Sequence, residues 1–203
     1  MRIGVFGGTF DPPHVGHLIL AADACDALRL DRLIFVPAAS QPFKAETPAF
    51  ASPAERLEMV RLAVAGDSRC TVEDTEIRRG GLSYTVDTLE EIARKNAGAE
   101  LFLLIGQDTL AGFSDWKEPD RIGQLATLAV MRRAGSARTT GGPGRRRAVE
   151  ISTRRVDVSS TEIRERLASG KSIRGFVPES VERFITERGL YIEVRKRPRI
   201  GKH

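Results

Sequence analysis

Two histidines at a spacing of three, His14 and His17, close a stretch in which glycines and prolines crowd together: Gly7-Gly8-Thr9-Phe10-Asp11-Pro12-Pro13-His14-Val15-Gly16-His17, directly after the apolar run 3–6. The pattern predicts a strand, a glycine turn and a helix that begins near Val15. Adjacent glycines permit positive φ and let a ligand approach bare backbone, so such a turn can point several N–H groups at an anion. The helix N-terminus adds partial positive charge and unpaired donors, and the i, i+3 spacing sets both imidazoles on one side of the first turn. Donors, dipole and imidazoles together suit a polyphosphate, with a nucleoside triphosphate as the leading ligand.

Other chemistries fit this stretch less well. A zinc site needs three or four ligands, the remaining histidine is His203 at the end of a basic tail, and Cys25 and Cys70 stand in no paired spacing, so no protein metal site is assigned. Surface histidines on a plain strand-turn-helix would leave the crowding of glycine, proline and histidine without a cause. Gly4, Gly7 and Gly8 do not make the G-x-G-x-x-G dinucleotide fingerprint.

The elements that must position these residues follow from periodicity and punctuation. The first helix runs to about Leu30, and the apolar run 32–36, ended by Pro37, reads as a buried parallel strand. Residues 38–51 lack periodicity and form a loop at the carboxyl end of that strand, where ligands of open α/β sheets bind; Lys44 is its conspicuous cation. Ser52 and Glu55 make a capping box with Pro53 at the first helical position, and Leu57, Val60, Leu62 and Val64 give the helix an apolar side. Alternation over 69–77 predicts a third strand, closed by a turn at 78–81. A helix starts at the serine and threonine of Ser83-Tyr84-Thr85 and ends near 96–98. Residues 100–105 are another buried strand, and Gly106 and Asp108 fall at its ligand-bearing edge, where a carboxylate can accept from ribose hydroxyls.

Trp116 lies among Ser114, Asp115, Lys117 and Glu118, which is poor company for a core residue. Residues 127–131 form a fifth strand, residues 136–147 read as a mobile loop, and 149–152 with 155–158 are expected to supply the last strand. Ser159 and Glu162 then form a capping box, leaving the hydroxyls of Ser160 and Thr161 free at a helix N-terminus, with Arg164 able to fork onto a phosphate. Gly170-Lys171-Ser172 has the end of a Walker loop, but its first glycine is replaced by Glu165 and a helix precedes it. A final helix reaches Arg188.

Composition sets the remaining bounds. With 203 residues, 41% hydrophobic and 29% charged, the chain supports one sizeable core, read as a domain over 1–194 with a basic tail at 195–203. The net charge of +5 concentrates in that tail and in Arg145–Arg147, neither of which contains an aromatic residue, so nucleic-acid binding is not expected. Two unpaired cysteines argue for a reducing compartment, no segment approaches a membrane span, and no signal peptide is visible, so a cytoplasmic protein is expected.

At this point GGTFDPPHVGH resembles the first signature of the HxGH nucleotidyltransferases, which transfer AMP or CMP from a nucleoside triphosphate to a phosphate-bearing acceptor. Ser159-Ser160-Thr161-Glu162-Ile163-Arg164, of the form S-x-T-x-x-R, is similar to their second signature. SYTVDTL, GQD with Trp116, and the segment 173–191 resemble bacterial nicotinate-nucleotide adenylyltransferases, and the resemblance spans roughly residues 1–191. It implies a single Rossmann-like α/β domain with a mainly parallel central sheet and helices on both faces. It also implies ATP and nicotinate mononucleotide as substrates, with Mg²⁺ bridging the phosphates.

Residue by residue, the resemblance assigns His14 and His17 to the α and β phosphates, with Thr9 nearby, and Gly7, Gly8 and Phe10 to the bound nucleotide. Lys44 and Arg164, with Ser160 and Thr161, go to the β and γ phosphates. Gly106 and Asp108 go to the nucleotide's ribose, and Thr85, Trp116, Lys117 and Arg133 to the acceptor. The chain departs from the family's pattern in three places: Phe43 precedes Lys44 where histidine is frequent, Lys117 replaces an aromatic, and Ala134 replaces a proline. Nicotinamide mononucleotide or phosphopantetheine as acceptor, or an ATP-binding module without catalysis, are the alternatives.

Overall fold

The structure is a computed structural model in which residues 1–42, 49–133 and 148–192 are described, with only the backbone of Arg133. Lys44, the loop 136–147 and the tail 195–203 lie outside the described residues. Six strands form one sheet: β1 (Arg2–Gly8), β2 (Arg32–Pro37), β3 (Cys70–Val72), β4 (Glu100–Gly106), β5 (Thr127–Arg133) and β6 (Ala148–Thr153). Every pairing is parallel and the order is β3-β2-β1-β4-β5-β6. This is the doubly wound arrangement, with its topological switch between β1 and β4, so a crevice opens at the carboxyl end of β1.

Alternation along the central strands fills both faces. Phe6, Leu33, Phe35, Phe102, Leu104 and Ala129 turn to one side, where α1 (Val15–Leu28) and α2 (Pro53–Val64) pack with Ala24, Cys25, Leu28 and Val60. Ile3, Val5, Ile34, Leu103, Ile105 and Leu128 turn to the other, against Leu89 and Ile92 of α4 (Thr85–Lys95) and, beyond the short α5 (Gln107–Ala111), Ile122 of α6 (Pro119–Leu125). Near-continuous apolar strands are what a sheet covered on both faces requires. A third cluster joins Met59 of α2 to Ile163 of α7 (Ser160–Ala168), Val181 and Ile185 of α8 (Glu179–Glu187), and Tyr191.

Several expectations are corrected. The alternation over 69–77 yields a strand of only three residues, because Asp74 begins the short helix α3 (Thr75–Arg79) and places Ile77 within it. Residues 155–158 form no strand; β6 ends at Thr153, where Arg154 N–H donates to the Asp23 carboxylate. Ser83 does not cap α4, whose N-cap is Tyr84: its hydroxyl oxygen instead accepts from Ala39 N–H at 3.0 Å and fastens the helix start to the loop after β2. The Ser52–Glu55 box is complete in both directions, whereas Ser159 only accepts from Glu162 N–H.

Candidate active site

The glycine pair ends β1 rather than forming a left-handed turn. Gly7 and Gly8 still pair with Val36 and Pro37, and the residue with positive φ is Phe10, at 51°. Gly8 is needed for close approach: a Cβ there would come within 2.9 Å of the Phe10 ring. That ring packs against Phe6, Phe35 and His17, which fixes the loop between β1 and α1.

His14 is the N-cap of α1 and His17 stands at its third position. The two rings stack with centroids 3.8 Å apart, and His14 N–H donates to His17 Nδ1 at 3.2 Å. With Nδ1 accepting, the neutral His17 ring carries its proton on Nε2 and can donate from there. Gly16 makes room for the stack, since a Cβ would lie 2.9 Å from His14 Nδ1. His14 is buried, and its Nδ1 has no hydrogen-bond partner among the described residues. Burial pushes the His14 pKa down to about 4; burial and then the nearby His14 push His17 to about 3. Both imidazoles are therefore neutral at pH 7.

A cleft of about 980 Å³ gathers Gly8 from the end of β1, Thr9 and Phe10 from the loop that follows, His17 from the first turn of α1, 38–41 and 49–51 from the loop after β2, and Ser160, Thr161 and Arg164 from α7. The hydroxyls expected to be free are engaged. Ser160 donates to the Pro12 carbonyl at 2.8 Å, and Thr161 accepts from Arg164, whose Nη1 donates to the Asp11 carbonyl at 2.7 Å. The α7 N-terminus is thereby pinned to the histidine loop, and Arg164 lies 4.6 Å over the Phe50 ring.

A second cleft of about 650 Å³ lies over the β1–β4 switch and meets the first at Gly8, Ala38 and Gln41. It gathers Gly7, Gly106, Asp108, Thr85, Trp116 and Lys117. Thr85 is the first residue of α4, so that helix start opens on the cleft. Trp116 is half-buried, with its ring 5.2 Å from Phe113, and so serves packing while walling the cleft. Lys117 pairs with Asp87 at 3.0 Å and lies 4.8 Å over the Tyr84 ring. Asp108 belongs to this second cleft and is not in the wall of the first. Arg133 ends β5, and its side chain lies outside what is described, as does Lys44.

Three residues of the site escaped the sequence reading. Arg56 is fully buried and donates to three backbone carbonyls around the first cleft. Glu76 is buried in the second, accepting from Thr88 at 2.7 Å, and desolvation raises its pKa against the pull of the Thr88 and Ser83 hydrogen bonds. Tyr191 donates to Asp11 Oδ1 at 2.8 Å, and the other carboxylate contacts of Asp11 are Phe50 and Ala51 N–H. A signal existed for Arg56: with Met59, Val60 and Val64 it occupies the i, i+3, i+4, i+8 stripe that faces inward.

Residues 5–166 match the model of the cytidylyltransferase-like family, which defines the class of this fold and cleft. A protein of Gemmatimonas aurantiaca is 46% identical over 202 residues, covering 95% of this chain and 93% of its own length, and carries the name "Probable nicotinate-nucleotide adenylyltransferase". One of Thermus thermophilus with the same name is 45% identical, covering 94% of this chain and its whole length. The nicotinic acid mononucleotide adenylyltransferase of Plasmodium falciparum, solved with NaAD, superposes with a TM-score of 0.76 over 94% of this chain and 97% of its own, at 16% identity. The chain belongs to the cytidylyltransferase-like family, in its nicotinate-nucleotide adenylyltransferase branch.

Proposed function

We propose that the two joined clefts transfer AMP from ATP to nicotinate mononucleotide, giving deamido-NAD and pyrophosphate, a step of NAD biosynthesis. The observation that carries this reading is the meeting of the clefts at Gly8. One is walled by the histidine loop and Arg164, the other by the α4 start and Trp116. A triphosphate in the first and a nucleotide acceptor in the second would bring the acceptor phosphate to the α-phosphorus at that junction.

The acceptor phosphate is already an anionic nucleophile, so no general base is assigned to the attack. The new bond joins its oxygen to the α-phosphorus, and the bond to the leaving pyrophosphate breaks. The protein's part is to align two anions and to stabilise charge on the phosphate oxygens. His17 donates from Nε2, His14 supports it from beneath, and a bound polyanion raises the depressed pKa of both, strengthening them as donors. Arg164, Ser160, Thr161 and Lys44 hold the β and γ phosphates, Asp108 and Gly106 the ribose, and Thr85, Trp116, Lys117 and Arg133 the acceptor.

Mg²⁺ would arrive on the triphosphate. No group of three or more His, Cys, Asp or Glu among the described residues could hold a metal ion, and the two carboxylates of the first cleft are engaged: Asp11 by two N–H groups and Tyr191, Glu55 by Ser52 N–H. Such an ion would keep most of its waters and would supply positive charge against the phosphates, with no protein ligand assigned to it. No described helix is long and apolar enough to cross a membrane. We place the reaction in the cytoplasm, where ATP is supplied and where two unpaired cysteines stay reduced.

The test is label transfer. ATP labelled at the α-phosphate should pass its label into a dinucleotide only when nicotinate mononucleotide is present, and ATP labelled at the γ-phosphate should pass it into pyrophosphate. Label released as free AMP or orthophosphate would overturn the reading.

A further inference from the structure

Arg56 is only 1% exposed and is the largest of the fully buried side chains. Its Nε donates to the Ala51 carbonyl at 3.3 Å, Nη1 to Thr9 at 2.7 Å and Nη2 to Ala39 at 3.0 Å. The three acceptors come from three segments: the histidine loop after β1, the start of the loop after β2, and the end of that loop where it leads into α2. All three segments, and Arg56 itself, wall the first cleft. Among the described residues Arg56 makes no ion pair; the charge that acts on it most is Asp11, whose own carboxylate is held by Phe50 N–H, Ala51 N–H and the Tyr191 hydroxyl.

A buried cation whose hydrogen bonds all go to neutral carbonyls is costly, and an apolar residue of similar volume is often the more stable choice at such a place. Bridging three carbonyls accounts for the donors, and the Asp11 carboxylate offsets the burial of the charge only in part, because desolvation still outweighs it. The cleft above supplies what the charge lacks, because a triphosphate is the one reactant rich enough in negative charge to neutralise it. We infer that Arg56 is a positioning residue for the triphosphate: its fork holds the three phosphate-binding segments in register, and its charge attracts the polyanion from below. This rests on the reading of the first cleft as the triphosphate site.

The experiment compares steady-state kinetics and thermal midpoints of the full-length wild type, Arg56→Lys, Arg56→Met and Arg164→Ala. Arg56→Met removes fork and charge together and is expected to raise the KM for ATP at least about thirtyfold, in the range measured when one partner of a buried charged contact is truncated. Arg56→Lys keeps the charge but loses the fork, and is expected to raise it about three- to tenfold with the fold intact. In both, the KM for nicotinate mononucleotide at saturating ATP stays within about twofold, since the second cleft does not touch Arg56.

A merely structural arginine would lower the thermal midpoint and move both KM values together, or neither, and that result overturns the inference. Should Arg56→Met not fold, Arg56→Lys decides alone, because a wild-type KM for ATP in that variant overturns it equally. Arg164→Ala separates the two claims. A raised KM for ATP there, with Arg56 variants unchanged, defeats only the role of Arg56; an unchanged KM in Arg164→Ala defeats the placement of the triphosphate and the inference with it.

Discussion

Acid should destabilise this fold through its two active-site imidazoles, and by a predictable amount. In an unfolded chain histidine titrates near 6.5, whereas in the fold burial holds His14 near about 4 and His17 near about 3. For groups whose folded pKa is depressed, the contribution is present above 6.5 and is lost as pH falls, because the unfolded state takes up protons that the folded state refuses. At pH 5 the solution lies about 1.5 units below the unfolded pKa and still above both folded values, and at about 1.36 kcal/mol per unit that is about 2 kcal/mol for each imidazole, about 4 together. The loss is a large fraction of the roughly 5–15 kcal/mol that holds a typical domain folded. The assay is urea unfolding at pH 7.5, 6.5, 5.5 and 5.0 for the wild type and for the double variant His14→Asn, His17→Asn, with other titrating groups common to both. The wild type should lose about 4 kcal/mol more than the variant over this range. Parallel curves would show that the imidazoles are not held neutral in the fold, and would refute the reasoning.

Other outcomes follow from single contacts. His17→Ala should lower turnover at least about a hundredfold with the fold retained, since it removes a donor to the transition state; a far-ultraviolet spectrum and kcat check both halves. Gly16→Ala puts a Cβ 2.9 Å from His14 Nδ1 and should displace the stacked pair, lowering kcat about tenfold or more with little change in the KM for either substrate. Trp116→Ala should raise the KM for the acceptor about tenfold and leave that for ATP nearly unchanged, because the ring walls only the second cleft. Tyr191→Phe removes one hydrogen bond to the Asp11 carboxylate and should cost about 1.5–3 kcal/mol in urea unfolding. Burial beside Asp11 raises the Tyr191 pKa, so this contribution is present below about pH 10 and is lost as the pH rises above it.

Much of this architecture was legible in the chain because local signals and the global fold agree. The apolar runs at 32–36 and 100–105 have no polar face, as central parallel strands covered on both sides require, and the Ser52–Pro53–Glu55 box marks a helix start unaided. The histidine and S-x-T-x-x-R stretches were legible as types and spacings, but their geometry was not. Positive φ fell to Phe10 rather than to a glycine, because aromatic packing against Phe6 and Phe35 sets that turn. The stacking of His14 beneath His17 depends on the missing Cβ of Gly16, a feature of three dimensions. Long-range partners were illegible for the same reason: Ser160 to Pro12, Tyr191 to Asp11 and Arg56 to Thr9 join segments far apart in sequence. The strand expected over 69–77 failed because Thr75–Arg79 makes a helical turn whose Glu76 is drawn into the second cleft by Thr88.

The most direct test of the account is the rate of pyrophosphate release from ATP and Mg²⁺ with nicotinate mononucleotide and nicotinamide mononucleotide as parallel acceptors. A carboxylate that meets the donors at the α4 start, with the Lys117 ammonium beside them, predicts kcat/KM at least about a hundredfold higher for the nicotinate form. Equal use of both acceptors, or release with neither, would contradict the assignment of the second cleft.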